Sequence, residues 1–432
     1  MRNRKNLYIE TYGCQMNFSD SEIVVSVLKS EYEVVSQPKE ADLILINTCS
    51  IRENAEQRVW KRLLELNTWK KKNPRLRIGL IGCMAERMKD ELFKTGKVDL
   101  VVGPDAYRDF LTILNEESDF PMNVLLSDIE TYDDIEPVRY DSKGVSAFIS
   151  IMRGCNNFCA YCVVPYTRGR ERSRNPQTII AEAEKLFAEG YREVTLLGQN
   201  VNSFDYEGIT FADIMESVAK ISPLLRLRFA TSHPKDLSDK LLETMARYPN
   251  ICKNIHLPAQ SGSDKILKLM NRKYTRQWYL ERIAQIRRYM PDCAISTDLI
   301  AGFSQETDED HADTLSLMRE VGFDYAFTFK YSLREGTAAH RNLEDNVPET
   351  VKTQRLEEII ALQHTLSFQS NKADIGKKFE VLIEGVSKRS PDNFYGRNSQ
   401  NKVIVFPKEG RVGEYIKVSV TKCTSATLMG KV

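Results

Sequence analysis

The sequence predicts an α/β protein in three parts, and three observations predict it. Through residues 1–115, short continuous apolar runs alternate with helix-like stretches. That is the pattern of strands buried on both faces of an open parallel sheet. After an acidic, aperiodic linker at 116–145, the alternation resumes and gives six βα units within 146–371, too few for a closed eight-unit barrel. Residues 372–432 hold only short strands between Gly, Pro and Asn turns, the pattern of a small antiparallel β-barrel.

In the first part, 7–13, 42–48, 77–82 and 98–103 read as strands, with helices near 19–30, 54–72, 84–95 and 105–115. Cys14, Cys49 and Cys83 each follow one of the first three strands, 35 and 34 residues apart. In open α/β sheets the ligand crevice lies beyond the carboxyl ends of the strands. Three cysteines placed there can converge on one point as metal ligands. Buried core thiols at strand ends are the plainer alternative.

In the second part, strands are expected at 147–153, 193–198, 225–231, 252–257, 294–299 and 325–331, with helices near 176–190, 211–220, 236–247, 263–271, 275–290 and 307–321. Residues just past the strand ends should line the mouth: Gly198, Gln199 and Asn200; Thr231, Ser232 and His233; Pro258, Ala259 and Gln260; and Asp298.

The first of these strands runs into Met152-Arg-Gly-Cys-Asn-Asn-Phe-Cys-Ala-Tyr-Cys-Val163, where Cys155, Cys159 and Cys162 are spaced C-x3-C-x2-C. Three thiolates so close together need a cationic partner. A disulfide uses only two of them. A tetrahedral zinc site wants a fourth ligand, and the nearest histidine, His233, is far along the chain. An iron–sulfur cluster takes Cys thiolates as its usual ligands. With three protein ligands, a 4Fe–4S cluster keeps one iron open to a substrate. A zinc knuckle or three unrelated buried cysteines are the alternatives.

Just downstream, Tyr166–Arg174 contains Arg168, Arg170, Arg172 and Arg174. Such a run can grip phosphates or hold a carboxylate, or it is a solvated loop. A long helical pattern starts near Pro348 and leads to the last part. Cys252, Cys293 and Cys423 sit at or beside apolar strands and read as structural.

With 42% hydrophobic and 28% charged residues, the 432-residue chain has the composition of a soluble globular protein. No run of 18 apolar residues occurs, so no membrane span is expected. The basic N-terminus lacks the apolar stretch of a signal peptide, and a cytoplasmic protein is expected. In a reducing compartment nine cysteines read as metal ligands and buried thiols, not disulfides. The net charge of +1 conceals an asymmetry, because residues 372–432 carry 12 Lys/Arg against 6 Asp/Glu. This suggests a polyanion-binding appendage or, equally, a solvated charged surface.

The dressing Gly-Cys-Asn-x-Phe-Cys-x-Tyr-Cys resembles the radical S-adenosylmethionine (SAM) enzymes. The segments Thr11-Tyr-Gly-Cys-Gln-Met-Asn17, Asn47-Thr-Cys-Ser-Ile-Arg-Glu-Asn54 and Gly82-Cys-Met-Ala-Glu-Arg87 resemble the N-terminal domain of one branch, the methylthiotransferases. Residues 372–432 resemble a TRAM domain, an RNA-binding barrel. The resemblance implies a partial (β/α)6 barrel in the centre and two 4Fe–4S clusters, one on Cys155, Cys159 and Cys162, the other on Cys14, Cys49 and Cys83. It implies SAM as a cofactor.

Leu197–Asn202, Leu257–Ser263, Met270–Thr275 and Ser296–Phe303 match family segments. The implied SAM contacts are Gly198, Gln199, Ser232, Gln260, Asp298 and Arg168. The segments Tyr331–Ala338 and Gly302–Thr307 depart from the family pattern: Leu333 and Glu335 stand where prolines are common, and the second lacks the usual Pro-Gly. The implied RNA contacts are Arg170, Arg172, Arg174, Arg389 and Arg397, with Phe394 and Tyr395 as stacking candidates.

The implied reaction replaces the C2–H of N6-isopentenyladenosine, beside a tRNA anticodon, with C2–SCH3. SAM serves both as methyl donor and as source of a 5′-deoxyadenosyl radical. The implied partners are a tRNA anticodon stem-loop, a reductant such as flavodoxin or ferredoxin, and a sulfur source or iron–sulfur carrier. Threonylcarbamoyl-adenosine in tRNA, or a ribosomal-protein aspartate, is the alternative substrate. A non-catalytic zinc and RNA-binding protein is the alternative from another class.

Overall fold

The computed structural model describes residues 4–49, 53–116, 118, 121–140 and 144–432. Ser50, Ile51 and Arg52 of the second cysteine segment lie outside the described residues. The first part runs β1 (Lys5–Tyr12), α1 (Gln15–Leu28), β2 (Tyr32–Val34), β3 (Leu43–Thr48), α2 (Glu53–Lys72), β4 (Arg77–Gly82), α3 (Cys83–Lys94), β5 (Leu100–Val102), α4 (Phe110–Asn115) and β6 (Met122–Asn123). The strands form one parallel sheet in the order β2-β1-β3-β4-β5-β6.

Strand β3 is buried at every position. Its side chains alternate between faces. Leu43 and Leu45 join a core layer with Ile23, Val24 and Phe110, while Ile44 and Ile46 join another with Val59, Leu63 and Met84. That two-sided burial is why the strand reads as a continuous apolar run.

The two edge strands carry no such signal. β2 has three residues and β6 two, and each is defined by backbone pairing to its neighbour. β6 falls inside the expected linker, which is therefore shorter than 116–145. The rest of that segment packs against both parts: Tyr132 is buried, its hydroxyl donates to the Pro104 carbonyl at 3.0 Å, and its ring centroid lies 4.8 Å from the Arg153 guanidinium.

The central part runs β7 (Ser146–Ser150), β8 (Met152–Arg153), α5 (Val164–Arg168), β9 (Arg172–Ser173), α6 (Pro176–Ala188), β10 (Glu193–Leu197), β11 (Asp205–Tyr206), β12 (Ile209–Thr210), α7 (Phe211–Ala219), β13 (Arg226–Phe229), α8 (Asp239–Arg247), β14 (Asn254–His256), α9 (Asp264–Leu269), α10 (Arg276–Tyr289), β15 (Ala294–Ala301), α11 (Asp308–Val321), β16 (Tyr325–Lys330), α12 (Ala338–Asn342) and α13 (Glu349–Lys372). Six parallel strands follow one another in space in chain order, as two three-stranded sheets joined by the Leu227–Ile251 bridge. Capping residues set the helix boundaries: Thr275 and Thr307 accept from the third residue of α10 and α11, and left-handed Gly322 (φ 64°) ends α11.

The last part is a closed barrel of β17 (Lys378–Val386), β18 (Asn393–Arg397), β19 (Val403–Pro407), β20 (Tyr415–Cys423) and β21 (Leu428–Lys431). The expected all-antiparallel pairing needs one correction, since β19 and β21 pair in parallel. The fifth strand, β21, has four residues and closes the barrel.

This barrel docks on the amino ends of the central strands. Arg226 Nη1 donates to the Arg397 carbonyl at 2.6 Å, and Arg228 Nη2 to the Asn398 carbonyl at 2.7 Å. Tyr415 donates to the Arg192 carbonyl at 3.1 Å. The Cys155 loop follows the carboxyl end of β7, so it and the C-terminal barrel occupy opposite ends of the central sheet. No helix among the described residues is long and apolar enough to cross a membrane.

Candidate cluster and cofactor site

The N-terminal cysteines stand on three adjacent strand ends, because β1, β3 and β4 are neighbours in register. Two buried asparagines lock these ends together. Asn17 accepts from the Cys14 N–H at 3.3 Å through its side-chain oxygen, and its Nδ2 donates to Asn47 Oδ1 at 2.9 Å. Asn47 Nδ2 donates in turn to the Asn17 carbonyl at 2.8 Å and to Ser21 Oγ at 3.0 Å. Gly82 (φ 88°) completes the arrangement, since a Cβ there would collide with Asn47 Oδ1. The side chain of Cys49 hydrogen-bonds that of Cys14 and brings the Cys14 thiol down to about 6, helped by the Arg168 charge. Burial pushes the Cys83 thiol up.

The second set sits on a loop whose base is closed by the antiparallel β8–β9 ribbon, which pairs Met152 with Ser173 and Arg153 with Arg172. Gly154 (φ 78°) is required there, because a Cβ would run into the Arg170 carbonyl. Inside the loop, the Cys162 N–H donates to the Cys159 carbonyl at 2.9 Å, and Asn157 Nδ2 reaches Cys155 Sγ at 3.5 Å. Burial pushes the Cys155 thiol up to about 11 and also raises Cys162, whose next cause is the neighbouring Cys159.

Each set has one buried arginine on one thiol. Arg272 Nη1 donates to Cys159 Sγ at 3.3 Å while its Nη2 holds the Pro258 carbonyl at 2.8 Å. Arg168 Nε donates to Cys83 Sγ at 3.1 Å. Arginine offers only donors, so each sulfur is the acceptor. Three thiols with a fixed cation beside one of them suit an anionic, thiolate-bound cluster. Among the described residues, no group of three or more His, Cys, Asp or Glu is placed to hold a metal ion.

Arg168 was expected at the SAM carboxylate. The structure corrects this: it is buried between the first and second parts, bonded to Cys83 and, at 2.6 Å, to Asp20 Oδ2. Arg153 joins the same group, donating to Asp20 Oδ1 and the Pro104 carbonyl, both at 2.9 Å. Arg172 forks onto both oxygens of Asp105, at 2.9 and 3.0 Å. Glu56 of α2 extends the contact, pairing with Arg87 at 2.6 Å and with Arg334 of the central part at 3.0 Å.

The expected RNA contacts divide in the same way. Arg172 and Arg174 are buried, the latter paired with Glu182, and Arg397 bridges Glu193 at 2.8 Å and Glu384 at 2.6 Å. These three hold elements together, and their guanidiniums are spent on carboxylates. Arg170 and Arg389 are exposed.

At the mouth, Gly198 lies so close to Met152 that a Cβ would collide with its side chain. Gln199 Oε1, Ser232 Oγ and both side-chain polar atoms of Asn202 are buried, with no hydrogen-bond partner among the described residues. Buried polar atoms left open cost free energy unless a ligand meets them. They fit the amino, carboxylate and hydroxyl groups of SAM. Thr231 and Gln260 hold positive φ, 70° and 69°, a conformation rare in non-glycine residues and concentrated at functional sites. Asp298 is half-buried, 3.4 Å from His256 Nε2.

Sequence reasoning missed Asp20, Asn17, Asn47, Arg153 and Arg272 as site residues. Arg272 was visible only as part of a matched segment, and Arg153 and Asn17 only as neighbours of cysteines.

Residues 6–103 match uncharacterized protein family UPF0004, residues 149–318 match the radical SAM superfamily, and residues 372–432 match the TRAM domain. The chain is similar to the tRNA-2-methylthio-N(6)-dimethylallyladenosine synthase of Bacteroides thetaiotaomicron, 55% identical with 99% of this chain and 96% of that protein covered. It is similar to those of Parabacteroides distasonis, at 56% (99% and 95% covered), and Porphyromonas gingivalis W83, at 55% (100% and 96% covered). Among solved structures it resembles the radical SAM methyltransferase TsrM from Kitasatospora setae, with a TM-score of 0.58 at 12% identity over 78% of this chain and 77% of that one. That last likeness is one of fold. On the three domains in this order and the full-length identity, the chain belongs to the tRNA-2-methylthio-N(6)-dimethylallyladenosine synthase family, methylthiotransferases of the radical SAM superfamily.

Proposed function

We propose that this chain replaces the C2–H of N6-isopentenyladenosine, beside the anticodon of a tRNA, with C2–SCH3. The observation that carries the reading is the pairing of two three-cysteine sets across one domain interface, each with an arginine on one sulfur. In this reading Cys155, Cys159 and Cys162 hold one 4Fe–4S cluster, and Cys14, Cys49 and Cys83 hold the second. When bound, the clusters and SAM supply the radical, methyl and sulfur chemistry that an unactivated C–H bond requires.

The chain's own residues bind, orient and exclude water. Gln199, Asn202 and Ser232 are the open polar groups for SAM, with Gly198 letting the backbone approach and Gln260 and Asp298 on the neighbouring strand ends. Arg272 fixes the Cys159 side of its loop to the Pro258 turn. Asp20, Asp105, Arg153 and Arg172 clamp the two parts, so the two cysteine sets keep one separation. Reactants held in a fixed geometry react with large effective molarity.

Residues 1–115 serve as the sulfur-supplying part, 146–371 as the radical part and 372–432 as the RNA-gripping part. Exposed Arg170 stands beside the cysteine loop, and exposed Arg389 stands in the barrel at the other end of the central sheet. Both are free to meet the phosphates of an anticodon stem-loop. The target base is then extruded toward the cysteines. A cytoplasmic reductant and a sulfur source or iron–sulfur carrier complete the cycle.

Nucleoside mass spectrometry of tRNA from cells lacking the gene tests this reading. Loss of the 2-methylthio nucleoside with accumulation of N6-isopentenyladenosine is expected, and restoration by the wild type but not by Cys155→Ala or Cys83→Ala. A tRNA pool unchanged by the deletion would refute it.

A further inference from the structure

Arg168 is carried by the radical part of the chain, yet its guanidinium is spent on the other cysteine set. It lies at the end of α5, six residues past Cys162. Helix α5 packs against α3, the helix that Cys83 begins. Nε donates to Cys83 Sγ at 3.1 Å and Nη2 to Asp20 Oδ2 at 2.6 Å. Nη1 is buried and has no hydrogen-bond partner among the described residues. Asp20 is itself fully buried and shared with Arg153.

A guanidinium at this depth is expensive unless its charge and donors are met. The sulfur and the carboxylate meet Nε and Nη2, and Nη1 has no acceptor among the described residues. The guanidinium that donates to Cys83 therefore comes from the docked central part of the chain.

We propose that Arg168 is a positioning residue for the N-terminal cluster, a donor supplied across the domain interface that raises that cluster's reduction potential and makes it depend on domain docking. This rests on the reading that Cys14, Cys49 and Cys83 hold a cluster. Hydrogen bonds to cluster sulfurs and local net charge both set such potentials. A positive donor stabilises the more electron-rich reduced state. Asp20 opposes it, since its negative charge sits against the same guanidinium. The two residues therefore carry opposite signs, which separates this role from a merely structural one. Loosening the interface moves both variants the same way.

The test is an EPR-monitored redox titration of the full chain, with Cys155, Cys159 and Cys162 replaced by Ala so that one cluster is read. If no iron loads into that protein, the cluster reading itself fails. If iron loads, Arg168→Met is expected to lower the midpoint potential by about a tenfold shift in the reduction equilibrium, about 59 mV for one electron. Arg168→Lys, which keeps the charge without the planar fork, should fall between Arg168→Met and wild type. Asp20→Asn should shift the potential upward. Equal potentials in wild type and Arg168→Met overturn the proposal. If Arg168→Met fails to load iron, Asp20→Asn decides it, and an unchanged or lowered potential there overturns it.

Discussion

Arg153 and Asp20 meet at 2.9 Å, both buried, with one on the strand entering the Cys155 loop and the other on the helix leaving Cys14. This ion pair ties the strand that enters one cysteine set to the helix that leaves the other. Asp105 lies beside it, 3.5 Å from Arg153 Nε and forked onto Arg172. Two carboxylates, Asp20 and Asp105, are thus shared among three arginines at the interface, Arg153, Arg168 and Arg172.

Removing Asp105 leaves Arg172 buried without a counter-charge. Breaking a buried pair from one side costs about 3–5 kcal/mol. Asp105→Ala should lower stability by that order in denaturant titration. It should also open the segment around Ser127, whose carbonyl accepts from Arg172 and whose N–H donates to Asp105 at 3.1 Å, to limited proteolysis.

Gly154 has no room for a Cβ against the Arg170 carbonyl and holds φ 78°. Gly154→Ala combines a backbone clash with a left-handed conformation costing about 1–2 kcal/mol for an L-residue. Iron content after reconstitution should fall by about one cluster per chain, and SAM cleavage should be lost. The signal from the N-terminal set should persist.

Ser232 Oγ has no hydrogen-bond partner among the described residues, so the fold loses no bond when it is removed. Ser232→Ala should leave Tm unchanged. If SAM uses this hydroxyl, its Kd should rise by about five- to tenfold, from the loss of about 1–1.5 kcal/mol, as read by calorimetry on the reconstituted protein.

His233 is brought down from 6.5 to about 2, by burial first and then by the charges of Arg272 and Lys235. Unfolded His233 binds a proton below about pH 6.5 and the folded residue does not, so the unfolded state holds more protons there. Stability is therefore full above pH 6.5 and lost on acidification, by up to ~1.4 kcal/mol per pH unit for one proton. Thermal melts from pH 7.5 to 5 should show a shallower decline for His233→Asn than for wild type.

Arg389 and Arg397 should separate binding from stability. Arg389 is exposed, so Arg389→Ala should weaken anticodon stem-loop binding, reduce the salt slope by about one and leave Tm unchanged. Arg397 pairs with Glu193 and Glu384. Arg397→Ala should lower Tm and loosen the C-terminal barrel from the central strands. Filter binding across a salt series, with melts in parallel, reads both.

The strongly periodic parts were legible. All six central strands fall within a few residues of their expected positions, because each sends apolar side chains into the central core. What escaped were short strands such as the edge strands β2 and β6 and the barrel-closing β21, whose pairing is made by backbone groups that any sequence possesses. The arginine run shows a second limit. From Tyr166 to Arg174 four arginines look alike in sequence, but Arg168, Arg172 and Arg174 are buried on Asp20, Asp105 and Glu182, and Arg170 alone is exposed.

By itself the sequence determined the order of three parts, the two sets of three cysteines and the class of chemistry they suit. Those follow from local spacing, strand-end placement and residue type, which need no knowledge of the partner segment. The tertiary structure alone decided which cation serves which sulfur, that Arg168 crosses from one part to the other, and that the C-terminal barrel sits at the far end of the central sheet from the Cys155 loop. Asp20 and Arg168 are 148 residues apart along the chain. Only packing brings them to 2.6 Å, and burial makes that contact strong enough to matter, because water is no longer there to screen it.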